Sequence, residues 1–292
     1  MDSYNTLMET RPDYLVIGHV SKDLLPGGEG ARAGGTATYS AIAAQRLGLQ
    51  AAMVTSMMIE DEPLLREAQE AGIWIHAVPA DETTTFRNVY DEHGRRTQLI
   101  NGRASTIEWS DVPVSWRGAG IVHLGPVAQE LPAGLPGYFP YGLLGITPQG
   151  WMRSWDDQGQ VLHSARPVPS ALEALPPNAV LILSIEDLGY HSELMDSYVK
   201  LAPIVVITQG PGEALLYRRR GRKKKAVGAV PADIADLTGA GDVFAAALLV
   251  RYRETGDLEE SARFAHAAAA CAIEGPGAET IPTRAEVMER LR

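Results

Sequence analysis

Seven short, continuously apolar, β-prone runs recur along the 292 residues, most of them separated by helical patterns. They are Tyr14 to Gly18, Ala51 to Thr55, Ile73 to Val78, Ile121 to Gly125, Gly142 to Ile146, Val180 to Ser184 and Ile204 to Thr208. A strand with one wet face alternates apolar and polar residues, whereas a strand covered on both faces has no need to. The pattern therefore predicts an α/β fold, with a mostly parallel central sheet and helices on both of its faces. The helical patterns cover 34–48, opened by Gly34 and Gly35 and closed by Gly48, then 61–71 with Pro63 in its first turn, and about 240–254, 257–273 and 283–291. No linker or internal repeat divides the chain, so residues 1–292 are read as one domain.

Two segments interrupt the wind. Residues 84–101 hold two β-prone runs around His93-Gly94, a hairpin with no crossover role in a parallel sheet. Residues 20–33, which include Pro26, Gly27, Gly28 and Gly30, separate the first strand from the first helix. Together they predict a small β lid. It is an abbreviated one, because only ten residues lie between Asp23 and Gly34, and strands advance about 3.3 Å per residue. Within 84–101, Arg87, Asn88 and Gln98 alternate with apolar residues, so one face either reaches a polyhydroxylated ligand or is simply solvated.

Charge and cysteine usage narrow the partners. The 36 acidic and 26 basic side chains leave a net charge of -10, a repulsive field for a polyanion, so no nucleic-acid partner is expected. Cys271 is the single cysteine, which excludes an intrachain disulfide, and the first residues lack a basic segment followed by an apolar core. A cytoplasmic location is the expectation. No apolar run approaches the roughly 18 residues of a spanning helix, so no membrane partner is expected either. The scattered histidines 19, 76, 123, 163 and 191 lack metal-ligand spacing, and Trp151 and Trp155, four apart, read as helix packing. The basic stretch Arg218 to Lys225, centred on Gly221, reads as a solvated hairpin turn guarding a sheet edge, with steering of an anionic nucleotide as the alternative.

The most specific chemistry lies in Asp236-Leu-Thr-Gly-Ala-Gly-Asp242, which runs into VFAAALLVRY. Glycines 239 and 241 flank Ala240 at a helix start, where free N–H groups and the positive helix end can hold a phosphoryl group. Asp242, in the first turn, would stand beside that phosphate and take a proton from an attacking alcohol. The plainer reading is a glycine-rich helix start with an acidic cap. The segment resembles the C-terminal signature D-T-T-G-A-G-D of the ribokinase-like (PfkB) carbohydrate kinases, departing only at Leu237. Further matches follow in order: Asp23 after the first strand, Gly34-Gly35 at the first helix, Thr208-Gln-Gly210 at a late strand end, Arg263 to Ala270, and Gly275-Pro-Gly277.

The resemblance implies an ATP-dependent kinase with Mg²⁺ bridging the phosphates. By it, Asp242 is the catalytic base, and Gly239, Ala240 and Gly241 are the anion hole. Asp23, Gly34, Gly35, Tyr39 and Asn88 are implied to meet the substrate, while Thr208, Gly210, Gly212, His266 and Ala270 border the nucleotide. Asp187, with Glu186 as rival, is implied to organise Mg²⁺. Asp236, Thr238, Ala272, Gly275 and Gly277 match a K⁺ site, from which moderate activation by K⁺ follows. The departures matter too. Tyr39 stands where the family usually has asparagine, the metal element reads Ser184-Ile-Glu186-Asp187, and Glu213 follows a glycine displaced to Gly212. With the short lid, these make the chain most similar to the inositol-kinase-like branch. The implied acceptor is a neutral sugar or cyclic polyol, since only Lys22 and Arg32 offer positive charge near Asp23 and Gly34. A catalytically silent binding protein on the same scaffold, or a sugar or nucleoside kinase of another branch, are the alternatives. The short lid suggests a monomer or weak homodimer.

Overall fold

The structure is a computed structural model that describes residues 10–25, 30–90, 96–164, 168–218 and 224–292. In chain order the first strands are β1 (Tyr14–Ile17), β2 (Ser21–Leu24) and β3 (Ala31–Gly34), followed by helix α1 (Thr36–Arg46) and β4 (Ala51–Met57). A 3-10 turn over Ile59–Leu65 leads into the one-turn α2 (Arg66–Glu70) and β5 (Trp74–Pro79). The strands β6 (Thr85–Tyr90), β7 (Arg96–Gly102), β8 (Ile121–Leu124), β9 (Leu143–Ile146), β10 (Arg153–Trp155), β11 (Val161–His163) and β12 (Ala179–Ser184) follow. After α3 (Met195–Tyr198) come β13 (Ile204–Thr208), β14 (Glu213–Arg218) and β15 (Lys225–Gly228). Three helices close the chain: α4 (Ala240–Thr255), α5 (Leu258–Ala272) and α6 (Arg284–Arg290).

The main sheet has the order β15-β14-β13-β12-β9-β8-β1-β4-β5. From β5 to β13 all neighbours are parallel, and β14 and β15 append an antiparallel hairpin at one edge. All seven expected strands are in it. Their continuous apolar character has the expected cause, because every residue of β1, β4, β8 and β9 is buried. One face packs against α1, α4 and α5, through residues such as Phe244, Leu248, Leu249 and Phe264. The other face is covered by short 3-10 turns at Trp116 and Phe139 and by the one-turn helix α3, which carries Tyr198. Helices α5 and α6 start where side chains can satisfy their first N–H groups: Asp257 accepts from Glu259 and Glu260 N–H, and Thr283 and Glu286 form a capping box. Among the described residues no helix is long and apolar enough to cross a membrane.

A second sheet, β3-β2-β6-β7, is the expected lid. Its turn residues Pro26, Gly27, Gly28, His93 and Gly94 lie outside the described residues, as does Gly221 of the basic turn. β14 and β15 still form the expected edge hairpin, and Lys225 pairs with Glu259 of α5. Two local expectations give way. The helix expected over 61–71 is a 3-10 turn plus one α turn, since Pro63 has no N–H to donate and sits inside the first stretch. The Trp151 and Trp155 spacing reflects no helix: a 3-10 turn ends at Met152 and β10 begins. Trp151 donates its indole N–H to the Leu131 carbonyl at 2.8 Å, and Trp155 lies beneath the Arg103 guanidinium.

Candidate active site

The chemistry-bearing residues converge at the carboxyl ends of β1, β12 and β13, where ligands bind in open parallel sheets. Helices α1 and α4 point their N-termini there side by side, and the Ser40 hydroxyl of α1 donates to the Asp242 carbonyl of α4 at 3.2 Å. The signature segment makes the turn into α4. Gly239 is its N-cap with φ of 78°, and a Cβ there would lie 2.4 Å from the Tyr39 ring, so both conformation and space require glycine. Gly241 differs. A Cβ there would meet nothing within 4 Å, so the space beside it is open and could admit a phosphoryl group. Ala240 N–H turns back to the Leu237 carbonyl at 3.3 Å, so the first-turn N–H groups of Gly241 and Asp242 are the better anion donors. Leu237, the departure from the family signature, is 64% exposed, so the core does not sense it.

Asp242 is half-buried, in the first turn of α4. Removal from water pushes its carboxyl up to about 6, against a hydrogen bond from Thr36 and the charge of Arg153; the charges of Asp187 and Asp23 push it further up. Thr36 and Arg153 were not singled out from sequence. Thr36 is signalled only by its place directly after Gly35, and Arg153 by nothing local. Arg153 is buried, donates to the Val127 carbonyl at 3.1 Å and stacks on Phe86 of the lid. Glu130 is another residue that sequence reasoning passed over. Fully buried, it accepts from the N–H groups of His19, Val127 and Ala128 and ties the loop after β1 to the loop after β8.

The lid presents one face to this centre. Asp23 and Arg32 are directly opposite in the β2–β3 register, Asp23 is level with Phe86 on β6, and Phe86 with Ile100 on β7. Asn88 and Gln98 form the next row, with the Gln98 amide donating to Asn88 at 3.4 Å and its own carbonyl oxygen buried without a partner. Arg87 lies on the opposite, exposed face. The Asp23 carboxylate accepts from Ser21 and lies so close to Gly34 that a Cβ there would be 2.3 Å from it. Gly35, φ of 86°, caps α1 with its Cα against the His19 carbonyl.

Other expected residues are placed differently. Tyr39 is only 2% exposed, with its ring under Gly239 and its hydroxyl buried without a partner. It is a floor beneath the signature turn rather than an open wall for substrate, because the ring fills the space that Gly239 vacates. His266 and Ala270 are buried as well. His266 donates to the Val227 carbonyl at 3.1 Å and meets the Phe244 ring edge-on, so the histidine fastens β15 to α5, and burial lowers its pKa. Neither presents a surface to a nucleotide. Thr208 ends β13, and Gly210 (φ of 59°) and Gly212 follow in the turn to β14, whose first residue Glu213 is exposed.

Of the two candidate metal carboxylates, Asp187 is buried and Glu186 exposed. Asp187 accepts from the Ser184 N–H at 2.7 Å and hydroxyl at 3.0 Å, and its field reaches Asp242. One carboxylate of this kind beside donor phosphates fits Mg²⁺, which commonly uses one or two protein carboxylates. The expected K⁺ ligands fit less well. Asp236 is held at about 2, since hydrogen bonds from Thr238, Arg32 and Gly277 outweigh its burial, and the Ala272 carbonyl accepts from Thr280 at 2.8 Å.

Comparison with known proteins agrees with this geometry. The description pfkB family carbohydrate kinase matches residues 167–284. The cytidine kinase of Thermococcus kodakarensis is 28% identical over 264 residues, covering 86% of this chain and 92% of that protein. A pyrophosphate-dependent kinase in the ribokinase family, solved with a pyrophosphate analog and myo-inositol, superposes with a TM-score of 0.78 at 20% identity over 95% of this chain and 99% of its own. Arabidopsis thaliana ribokinase, solved with ribose and ATP, gives 0.75 at 22% identity over 97% and 99%. With the signature at a helix start and the small second sheet beside it, the chain has the ribokinase-like α/β fold and is similar over residues 167–284 to the pfkB family of carbohydrate kinases.

Proposed function

We propose that the chain transfers the γ-phosphoryl group of ATP to a hydroxyl of a small, neutral, polyhydroxylated acceptor, a cyclic polyol of the myo-inositol kind being favoured. The observation that carries this is Asp242, a carboxyl raised to about 6 at a helix N-terminus, in the field of Asp23. A base near the working pH takes the acceptor proton efficiently, and the first-turn N–H groups of α4 hold the phosphoryl group. Asp23 accepts acceptor hydroxyls, and the unpartnered Gln98 oxygen on the same lid face can take another. Mg²⁺, held by Asp187 and the donor phosphates, would neutralise the charge of the transferred group. A neutral acceptor is supported by the state of the two lid cations. Lys22 is paired with Asp61 and Arg32 with Asp236, each at 2.7 Å, so neither stands open to a substrate phosphate.

A second reading has a nucleoside as acceptor, favoured by the cytidine kinase likeness over 86% of this chain. For the donor, pyrophosphate is the competitor: His266 and Ala270 are buried in packing, and one similar structure is of a pyrophosphate-dependent enzyme. One experiment separates these. Product phosphate ester is measured with ATP or pyrophosphate as donor and myo-inositol, ribose, cytidine or fructose 6-phosphate as acceptor. We expect the highest kcat/KM for ATP with myo-inositol. Cytidine in first place selects the nucleoside reading, pyrophosphate in first place changes the donor, and a preference for fructose 6-phosphate overturns the neutral acceptor. No transfer with any pair leaves a silent binding protein.

A further inference from the structure

The residues expected to coordinate a monovalent cation already satisfy one another. Asp236 Oδ1 accepts from the Thr238 N–H at 2.9 Å and hydroxyl at 2.6 Å. Its Oδ2 accepts from Arg32 Nη1 at 2.7 Å and from the Gly277 N–H at 3.3 Å. A carboxylate has about four lone-pair directions, and these donors take them. The Ala272 carbonyl, another expected ligand, is bonded by the Thr280 hydroxyl at 2.8 Å, and the Thr280 side chain packs directly on Gly275. Arg32 closes the arrangement. Its second nitrogen, Nη2, donates to Thr238 Oγ1 at 2.7 Å, so the guanidinium fork spans Asp236 and Thr238. A diffusible cation next to Asp236 would have to displace this fork or share the carboxylate with a group that is always charged.

We propose that Arg32 is a tethered cation, supplied by lid strand β3, that takes over at the signature turn the place the family resemblance assigns to K⁺. Arg32 lies 204 residues from Asp236 in sequence and opposite Asp23 in the lid register. The charge that braces the turn before Gly239 therefore comes with the strand pair that carries the acceptor-binding Asp23. Turn shape and lid position are linked by one side chain. Arg32 acts through Asp236 and Thr238 and is a positioning residue, not one that touches the reacting atoms.

The kinetic arm of the test rests on the phosphotransfer reading; the stability arm does not. Turnover and thermal midpoint are measured for wild type, Arg32→Lys and Arg32→Ala in KCl, NaCl and choline chloride at one ionic strength, with and without millimolar methylguanidinium. Wild type is expected to show rates within about 2-fold and the same midpoint in all three salts. Arg32→Ala should lose roughly 10- to 100-fold in kcat, the worth of charge-assisted hydrogen bonds. It should regain rate and midpoint in K⁺ or methylguanidinium but not in choline, whereas Arg32→Lys, which keeps a charge without the fork, should fall between. A wild type activated several-fold, or selectively stabilised, by K⁺ over choline overturns the proposal. So does an Arg32→Ala protein with unchanged kcat, KM and salt response. If no donor and acceptor pair reacts, the functional reading fails while the midpoint comparison still decides the ion question.

Discussion

At the scale of single residues, the raised pKa of the Asp242 carboxyl ties stability to pH, and the proposed function ties the same group to turnover. An acid whose folded pKa lies above its unfolded value stabilises the fold only while protonated. With values of about 6 against 3.8, that contribution is complete below 3.8 and lost as pH rises through 6. At about 1.4 kcal/mol per unit, the ionised carboxylate costs about 2–3 kcal/mol at pH 8. Asp242→Asn is therefore expected to lower kcat on the order of 10²- to 10⁴-fold and at the same time to raise the unfolding midpoint at pH 8, with little change at pH 4. Wild-type kcat/KM should climb as pH rises through about 6. A pH-independent rate would remove Asp242 from the mechanism, and calorimetry at the two pH values checks the stability half. The two glycines of the proposed anion hole should separate in the same way. Gly239→Ala places a Cβ against Tyr39 in a left-handed conformation, and a cost of about 1–3 kcal/mol or more is expected. Gly241→Val should fold normally and lose transfer, because its side chain enters only the space a phosphate needs; urea unfolding alongside turnover distinguishes the two.

At the scale of elements, the proposed function divides the site between the lid, for the acceptor, and the paired helix starts of α1 and α4, for the donor. Asn88 and Gln98 sit on the face that Asp23 shares, while Arg87 faces away. Gln98→Leu, which keeps the side-chain bulk, should raise KM for the acceptor about 3- to 10-fold, the worth of one neutral hydrogen bond, and leave KM for the donor unchanged. A change in donor KM alone would place the β6–β7 row elsewhere. The lid has four strands, two from each of the expected segments, and the first two are only four residues long. The lid is also tied to the β10–β11 turn, since Ile100 N–H bonds to the Gly159 carbonyl at 2.8 Å.

At the scale of the whole molecule, acid stability should be limited by buried histidines. His123 is fully buried on β8, with Nδ1 2.7 Å from the Tyr14 hydroxyl and Nε2 3.0 Å from the Thr147 hydroxyl. Burial lowers its pKa from 6.5 to about 3, and burial likewise lowers His76 and His266. A base with a depressed folded pKa takes its proton first in the unfolded chain, so stability falls as pH drops below 6.5 and goes on falling toward 3. From His123 alone the loss by pH 5 is about 2 kcal/mol. His123→Asn should be less stable than wild type at pH 7.5 but lose less between pH 7.5 and 5. Urea midpoints at both values check this, and parallel curves would assign the acid limb to other groups.

The runs from Tyr14 to Thr208 made the parallel sheet readable from sequence because burial on both faces leaves a local trace, an unbroken apolar run. The Asp236 to Asp242 signature was readable for a similar reason. Turn, helix start and the first-turn carboxyl of Asp242 are adjacent in the chain, so one short segment carries all three. What the tertiary structure decided are the groups that meet from far apart. Burial raises the Asp242 carboxyl against the opposing pull of Thr36 and Arg153, Tyr39 supports Gly239 from below, Arg32 reaches Asp236 across the lid, and His266 turns inward to β15. None of these has a local signature, because a side chain's partner across the fold depends on how helices and lid pack, and sequence spacing does not encode that.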